Sequence, residues 1–126
     1  MLGQADAAAN LAVSDLGRAR RFYEDVLGLE PVQEEDGELV AYRSGASTLN
    51  VYRSEFAGTN KATAVTWDVD DIDAAVRELK AKGVTFEHYD MPGLKQQGDL
   101  HVAEDGKMRI AWFKDPDGNI LNLVAA

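Results

Sequence analysis

The sequence predicts an α+β fold of two tandem βαβββ modules whose mixed sheets curl around a cavity. Three observations predict it. A strand-to-helix opening occurs twice, at an offset of 56 residues (69 − 13). Each helical stretch stops at a glycine. Each is then followed by material for three strands joined by tight turns.

The first opening is Val13-Ser14-Asp15-Leu16 and the second is Val69-Asp70-Asp71-Ile72. Apolar residues recur at helical spacing after each: Leu16, Ala19, Phe22, Tyr23 and Val26 before Gly28, then Ile72, Ala75, Val76 and Leu79 before Gly83. Ser or Asp at the start suits an N-cap, and glycine at the end suits the position after the last turn. In the first module, strands are expected over 30–35, 38–43 and 48–53. Asp36-Gly37 makes the first turn, with both positions at positive φ, and Gly45 centres the second. In the second module, strands are expected over 84–89, 107–114 and 120–124, with a last turn at Asp115-Pro116-Asp117-Gly118-Asn119. Between them, residues 90–106 show turn formers and no period. Two readings stand for this stretch, a lid over a pocket or a plain insertion.

At 126 residues the chain fits one domain, 1–126, with module one at about 7–53 and module two at about 62–125. A βαβββ half this small covers one sheet face with its helix and leaves the other to curl into a half-barrel, so two halves enclose a cavity. The composition is that of a globular domain, with 45% apolar and 28% charged residues. The net charge of −9 repels a phosphate backbone, and the basic cluster Arg18, Arg20 and Arg21 reads as a solvated helix face. Nucleic acid is therefore not an expected partner. The absence of cysteine excludes disulfides, thiolate nucleophiles and Cys-based zinc sites. No signal-like start and no apolar run of membrane-spanning length is present, so the expectation is a cytoplasmic protein without a membrane partner.

Two stretches carry a family resemblance. Asn10-Leu11-Ala12-Val13-Ser14-Asp15-Leu16, with Ala19-Arg20-Arg21-Phe22-Tyr23 and Val26-Leu27-Gly28-Leu29, resembles the first strand and helix of the vicinal oxygen chelate superfamily. Trp112-Phe113-Lys114-Asp115-Pro116-Asp117-Gly118-Asn119 resembles its closing hairpin. The resemblance covers the chain from about Ala8 to Val124. The superfamily includes glyoxalases, extradiol dioxygenases, an epimerase, fosfomycin-modifying enzymes and bleomycin-binding proteins, so the resemblance implies the fold but not one activity. It also implies a homodimer.

Metal-using members place ligands on the first and last strands of each module. Carried onto this chain, those positions are Ala8 and Asn50, then Ala64 and Asn122, with 64 − 8 repeating the offset of 56. A divalent ion needs lone pairs from imidazole or carboxylate, which alanine lacks and which two neutral amides replace poorly. The expectation is no metal and no cofactor. A displaced site from His88, Asp90 and His101 is conceivable, but ordinary hydrogen-bonded histidines are the preferred reading.

Strand residues alternate faces. If positions 8, 50, 64 and 122 face the cavity, so do Asn10, Ala12, Thr48, Tyr52, Thr66, Asp68, Ile120 and Val124. The other parity, including Leu11, Val13, Leu49, Val51, Val65, Trp67, Leu121 and Leu123, is apolar enough to pack under the helices. Asn10, Asn50, Tyr52, Thr66 and Asn122 thus become candidate ligand contacts, or else groups that satisfy one another or hold water. Asp68 is the one acid among the inward positions, read as a general base, a counter-charge, or a group that reaches solvent or caps the next helix. His88, Tyr89 and Met91 lead into the long loop and are candidates for a pocket mouth. Spacing leaves the facing of Tyr42 and Tyr89 open, and core packing is expected for Trp112.

The function these residues predict is metal-free binding of a small molecule, one use of which is to sequester a drug or metabolite. The alternative is a lyase, isomerase or dioxygenase with a non-standard metal site or no metal. A regulatory module with a self-filled cavity is a third reading. No nucleophile–base pair is recognisable, so no catalytic residue is assigned.

Overall fold

The computed structural model describes all residues from Met1 to Ala126. The chain divides into two compact units. One is Met1–Thr59 with Pro116–Asn119, and the other is Asn60–Asp115 with Ile120–Ala126.

In the first unit, β1 (Ala8–Val13) leads to α1 (Leu16–Arg20), then to β2 (Glu30–Glu35), β3 (Leu39–Ser44) and β4 (Ser47–Arg53). The sheet order is β1-β4-β3-β2, with β1 parallel to β4 and the other pairs antiparallel. Asp15 caps α1 by accepting from the Arg18 N–H at 3.1 Å. The apolar parity is buried as expected: Leu11, Val13, Leu49 and Val51 are all at most 3% exposed. Burying each such side chain stabilises by roughly 1.5–3 kcal/mol. Ala19 and Tyr23 complete this core from the helix side.

In the second unit, β5 (Thr63–Asp68) leads to α2 (Ile72–Ala81), then to β6 (Phe86–Glu87), β7 (Leu94–Gln97), β8 (Leu100–Ala103), β9 (Arg109–Lys114) and β10 (Ile120–Ala125). The order is β5-β10-β9-β8-β7, with β6 also paired to β9. Asp71 caps α2 through the Ala74 N–H at 3.0 Å. Ile72 and Val76 on α2 are buried together with Phe113, Leu121 and Leu123. Phe113 packs against Trp67 and Phe86, with ring centroids 6.4 and 5.8 Å away.

The α+β class and the two mixed sheets are as expected, and four expectations need correction. The sheets are open and uncurled rather than curled; closure into a barrel takes about eight strands with tilt and stagger. The first helix is α-helical only to Arg20, and Arg21–Val26 is a π-helix in which the Leu27 N–H reaches back to Phe22 O at 3.0 Å. The Asp36-Gly37 turn has only Gly37 at positive φ, 69°, and the Glu38 N–H donates to Glu35 O. That is the pattern of a type II turn, which asks for positive φ at its third position alone.

The fourth correction concerns the second module's edge. The strand expected over 84–89 is ordered as a ladder only at Phe86–Glu87, and the stretch 90–106 contains a hairpin, β7 and β8. Both β6 and β8 run antiparallel to β9, with Glu87 opposite Trp112 and His101 opposite Ile110. The edge that β2 fills in the first unit is thus split between β6 and β8 in the second, with β7 folded outside β8.

Candidate functional site

Sheet register decides which candidates share a face. In the first unit, Asn10 lies opposite Asn50 and Ala12 opposite Tyr52. The two amides meet, with Asn50 Nδ2 donating to Asn10 Oδ1 at 3.3 Å. Asn10 and Tyr52 also line a surface cleft of about 430 Å³ with Glu35, Glu38, Leu39 and Arg53. Arg53 is committed there to Glu38, 2.5 Å away. Tyr42, whose facing spacing left open, is on the helix side of this sheet, opposite Leu49. Its hydroxyl donates to Glu24 at 2.8 Å, and Arg20 donates to the same carboxylate at 2.7 Å. Burial, followed by that hydrogen bond, pushes the Tyr42 hydroxyl far above its usual range, while Arg20 holds Glu24 below the usual carboxylate range. This is a structural network, and it removes Tyr42 from the candidate site.

In the second unit, Asn122 lies opposite Thr66 on β5 and opposite Trp112 on β9. Trp112 in turn lies opposite Glu87 on β6. Cross-strand partners share a face, so Thr66, Asn122, Trp112 and Glu87 form one row. His101 joins that face beside Ile110, two residues from Trp112 along β9. Trp112 is therefore on the Asn122 face and not under α2, although it is buried there. Its indole N–H is satisfied by Thr63 Oγ1 at 3.1 Å, which fixes the ring.

Three aromatic rings cluster on this face. Trp112 meets Tyr89 edge-on with centroids 5.4 Å apart, and meets His101 edge-on at 4.8 Å. The Tyr89 N–H donates to His101 Nε2 at 2.9 Å. Because Nε2 accepts, the neutral ring carries its proton on Nδ1, making that atom a donor. Yet His101 Nδ1 finds no partner in the protein, and neither do the Tyr89 hydroxyl and Asn122 Oδ1. His101 is 1% exposed and Asn122 6% exposed. Orphaned buried polar atoms each cost about 1–3 kcal/mol, so three in one cluster call for an explanation.

The other candidates fall elsewhere. Thr66 and Asp68 are exposed, and the cap of α2 is Asp71 rather than Asp68. Met91 is 40% exposed in the turn before β7. His88 points at Asp99, with Nε2 and Oδ1 2.9 Å apart, while Lys80 donates to the other oxygen at 2.7 Å. The Lys80 hydrogen bond and then the His88 contact hold the Asp99 carboxyl below its usual range. His88 and His101 have ring centroids 6.3 Å apart, but the Nε2 atom of each is turned to a protein partner, Asp99 and the Tyr89 N–H respectively. No group of three or more His, Asp or Glu side chains is placed to hold a metal ion. At the family's ligand positions, Ala8 and Ala64 bring no lone pair, and Asn50 and Asn122 bring amides.

Sequence reasoning placed neither His101 nor Trp112 on the Asn122 face: His101 was weighed only in a displaced metal site or as a hydrogen-bonded histidine, and Trp112 was expected in the core. His101 was missed because a four-residue strand in an unanticipated hairpin gives no alternation to follow. Trp112 was missed although its parity was readable once Asn122 and the hairpin turn at 115–119 were fixed.

Comparison with known proteins agrees with the fold. A family model described as Glyoxalase/Bleomycin resistance protein/Dioxygenase superfamily matches residues 5–123. A protein of Bacillus subtilis, the uncharacterized YraH, is 25% identical over 128 aligned positions, covering 90% of this chain and 91% of that protein. The crystal structure of lactoylglutathione lyase from Agrobacterium tumefaciens superposes with a TM-score of 0.73 at 22% identity, over 96% of this chain and 92% of that one. The antibiotic binding protein TnmS3 from a Streptomyces species gives 0.63 at 19% identity, over 95% of each chain. At these identities the structures share a fold with this chain, and nothing finer follows from them.

Proposed function

The chain belongs to the Glyoxalase/Bleomycin resistance protein/Dioxygenase superfamily, and from that premise we propose that it binds a small molecule without a metal ion. The observation that carries the proposal is the chemistry at the family's ligand positions. Ala8, Asn50, Ala64 and Asn122 together supply no imidazole and no carboxylate. Asn50 further spends its amide N–H₂ on Asn10. A borderline or hard divalent ion held by two neutral amides would dissociate readily, so the family's metal does not fit this donor set.

What remains on these faces is suited to recognition. Amides, hydroxyls and an indole give directional hydrogen bonds and planar contact area. Other members of the fold include a lyase and an antibiotic binding protein. The role proposed for this chain is of the second kind, binding without a reaction. The working form is proposed to be a homodimer, as the family resemblance implies.

Two measurements test this reading. Elemental analysis of tag-free protein, grown in metal-supplemented medium and dialysed, is expected to find almost no divalent metal. Addition of zinc, nickel or manganese is expected to leave the melting temperature unchanged, because an ion that does not bind the native state cannot stabilise it. Stoichiometric metal that survives dialysis and is lost in His88→Ala or His101→Ala would replace this reading with an enzyme built on a displaced site.

A further inference from the structure

We infer that the Trp112 face of the second unit binds a neutral aromatic molecule with a hydrogen-bond acceptor at one end and a donor at the other. This rests on the binding-protein reading and names the ligand class. The inference starts from the three buried side-chain polar atoms that lack a partner in the protein: the Tyr89 hydroxyl, His101 Nδ1 and Asn122 Oδ1. They are not scattered. Tyr89 and His101 both touch the Trp112 ring, and Asn122 is its direct neighbour on β10.

Their chemistry is complementary to one kind of partner. His101 accepts the Tyr89 N–H at Nε2, so its Nδ1–H is a donor waiting for an acceptor. Asn122 Oδ1 is an acceptor waiting for a donor. The two stand on β8 and β10, on either side of β9, with His101 level with Ile110 and Asn122 level with Trp112. Two strand spacings and a two-residue offset along β9 separate those two backbone positions by roughly 12 Å. The reach of the two side chains shortens that separation, and a single aromatic ring substituted at opposite ends matches what remains. The Tyr89 hydroxyl adds a group that either donates or accepts.

Charge decides between neutral and ionic ligands. No carboxylate or ammonium is among the orphaned atoms, and the charged group in the same row, Glu87, is engaged with Lys114 at 3.6 Å. Burying an ion against His101, Asn122 and Trp112 would leave it without a counter-charge, at a cost a neutral ligand avoids. The overall acidity of the chain therefore does not extend to a cationic ligand at this face.

Access runs past Tyr89. His101, Trp112 and Asn122 are almost fully buried, whereas Tyr89 is only half-buried. Tyr89 also lies in the stretch between β6 and β7 that has no ladder pairing. Rotation of its ring away from Trp112 is the movement that admits a ligand.

The test uses three probes of one shape: para-hydroxyacetophenone, para-methoxyacetophenone, which lacks the donor, and para-ethylphenol, which lacks the carbonyl acceptor. Binding is followed in full-length protein by the indole N–H signal of Trp112 in a nitrogen–proton correlation spectrum, assigned with Trp112→Phe, and by calorimetry. Para-hydroxyacetophenone is expected to shift the Trp112 signal saturably. Removing either hydrogen-bonding end is expected to weaken binding by roughly threefold to tenfold. Asn122→Ala is expected to erase the advantage conferred by the phenol hydroxyl, and His101→Phe the advantage conferred by the carbonyl. Equal binding of all three probes overturns the inference without requiring any variant to fold. So does the absence of a Trp112 shift with every probe. Metal-free protein that still gains thermal stability from other compounds would then keep the binding reading while ending this one; stoichiometric metal would end the binding reading itself.

Discussion

Asp99 accepts from Lys80 on α2 and faces His88 at the end of the β6 stretch, so one carboxylate ties the turn of the β7–β8 hairpin to two other elements. It is shielded enough, with a side chain 20% exposed, for these contacts to matter. Its carboxyl is held below the ordinary range, first by Lys80 and then by His88. A group whose pKa is lower in the folded state adds stability that is complete above the unfolded value, near 4, and is lost as pH falls through the folded value. Asp99→Asn should thus melt about 3–5 °C below the parent near neutral pH, reflecting about 1 kcal/mol. The gap should close as pH falls below about 4. Melting curves across that range check it; a gap that stays constant with pH would show that the loss does not come from the Asp99 charge, and no gap at all would show the Asp99 contacts to be irrelevant. At this same scale the sequence was partly legible. The apolar and polar parities of β1, β4 and β10 were readable because alternation is a period of two; Asn50 and Asn122 came from the family resemblance, and alternation extended their face to its neighbours. That Asn50 would find Asn10 while Asn122 Oδ1 would find nothing depends on neighbours in three dimensions, and no spacing encodes it.

Among the elements, the turn Pro116–Asn119 has an unusual position, because it belongs to the first unit while the strands it joins belong to the second. Asp117 accepts from the Ser14 N–H at 3.1 Å and from the Ser14 hydroxyl at 2.5 Å, and pairs with Arg18. Asn119 donates to Ala12 O at 2.8 Å. Gly58 closes this arrangement. It has φ of +75°, and a Cβ there would collide with the Asp117 carbonyl oxygen. Gly118 has a similar φ of +88° but open space around it. Gly118→Ala should therefore cost only the backbone strain of a left-handed alanine, about 1–2 kcal/mol. Gly58→Ala should cost that and the displacement of a backbone carbonyl, about 3 kcal/mol or more. Urea midpoints with unchanged slopes would measure the difference, and equal costs would mean the turn moves freely. The sequence showed this turn as a dense set of turn formers, yet not what its side chains hold. Boundaries elsewhere were legible where caps and glycines punctuate the chain, as at Asp15, Asp71 and Gly45. They were not legible where tertiary packing overrides local pattern, as in the π-helix at 21–26 and in the hairpin carried by Lys95, Gln96 and Gln97, whose strand has no apolar alternation to announce it.

Taken whole, the chain was most legible, because an internal repeat and two motifs are distributed over nearly its full length and do not depend on any single boundary. The same scale carries the consequence of its charge. Acids outnumber bases by nine, 22 against 13, at a length of only 126 residues. Several of the ion pairs that offset this excess join side chains with more than a third of their surface exposed, such as Arg43 with Glu30, Arg53 with Glu38 and Lys82 with Glu78. Exposed pairs contribute little and are screened by salt. The uncompensated acids repel one another over longer distances, where screening acts more completely. Raising sodium chloride from about 20 mM to about 300 mM shortens the screening length from roughly 20 Å to roughly 6 Å. Repulsion between distant acids should fade over that interval faster than attraction between paired groups in contact. The melting temperature is therefore expected to rise by about 2–5 °C, with most of the gain below about 150 mM. A fall over the same interval would mean that the surface ion pairs outweigh the net charge, and it would move the electrostatic stability of this chain from its overall balance to its individual pairs.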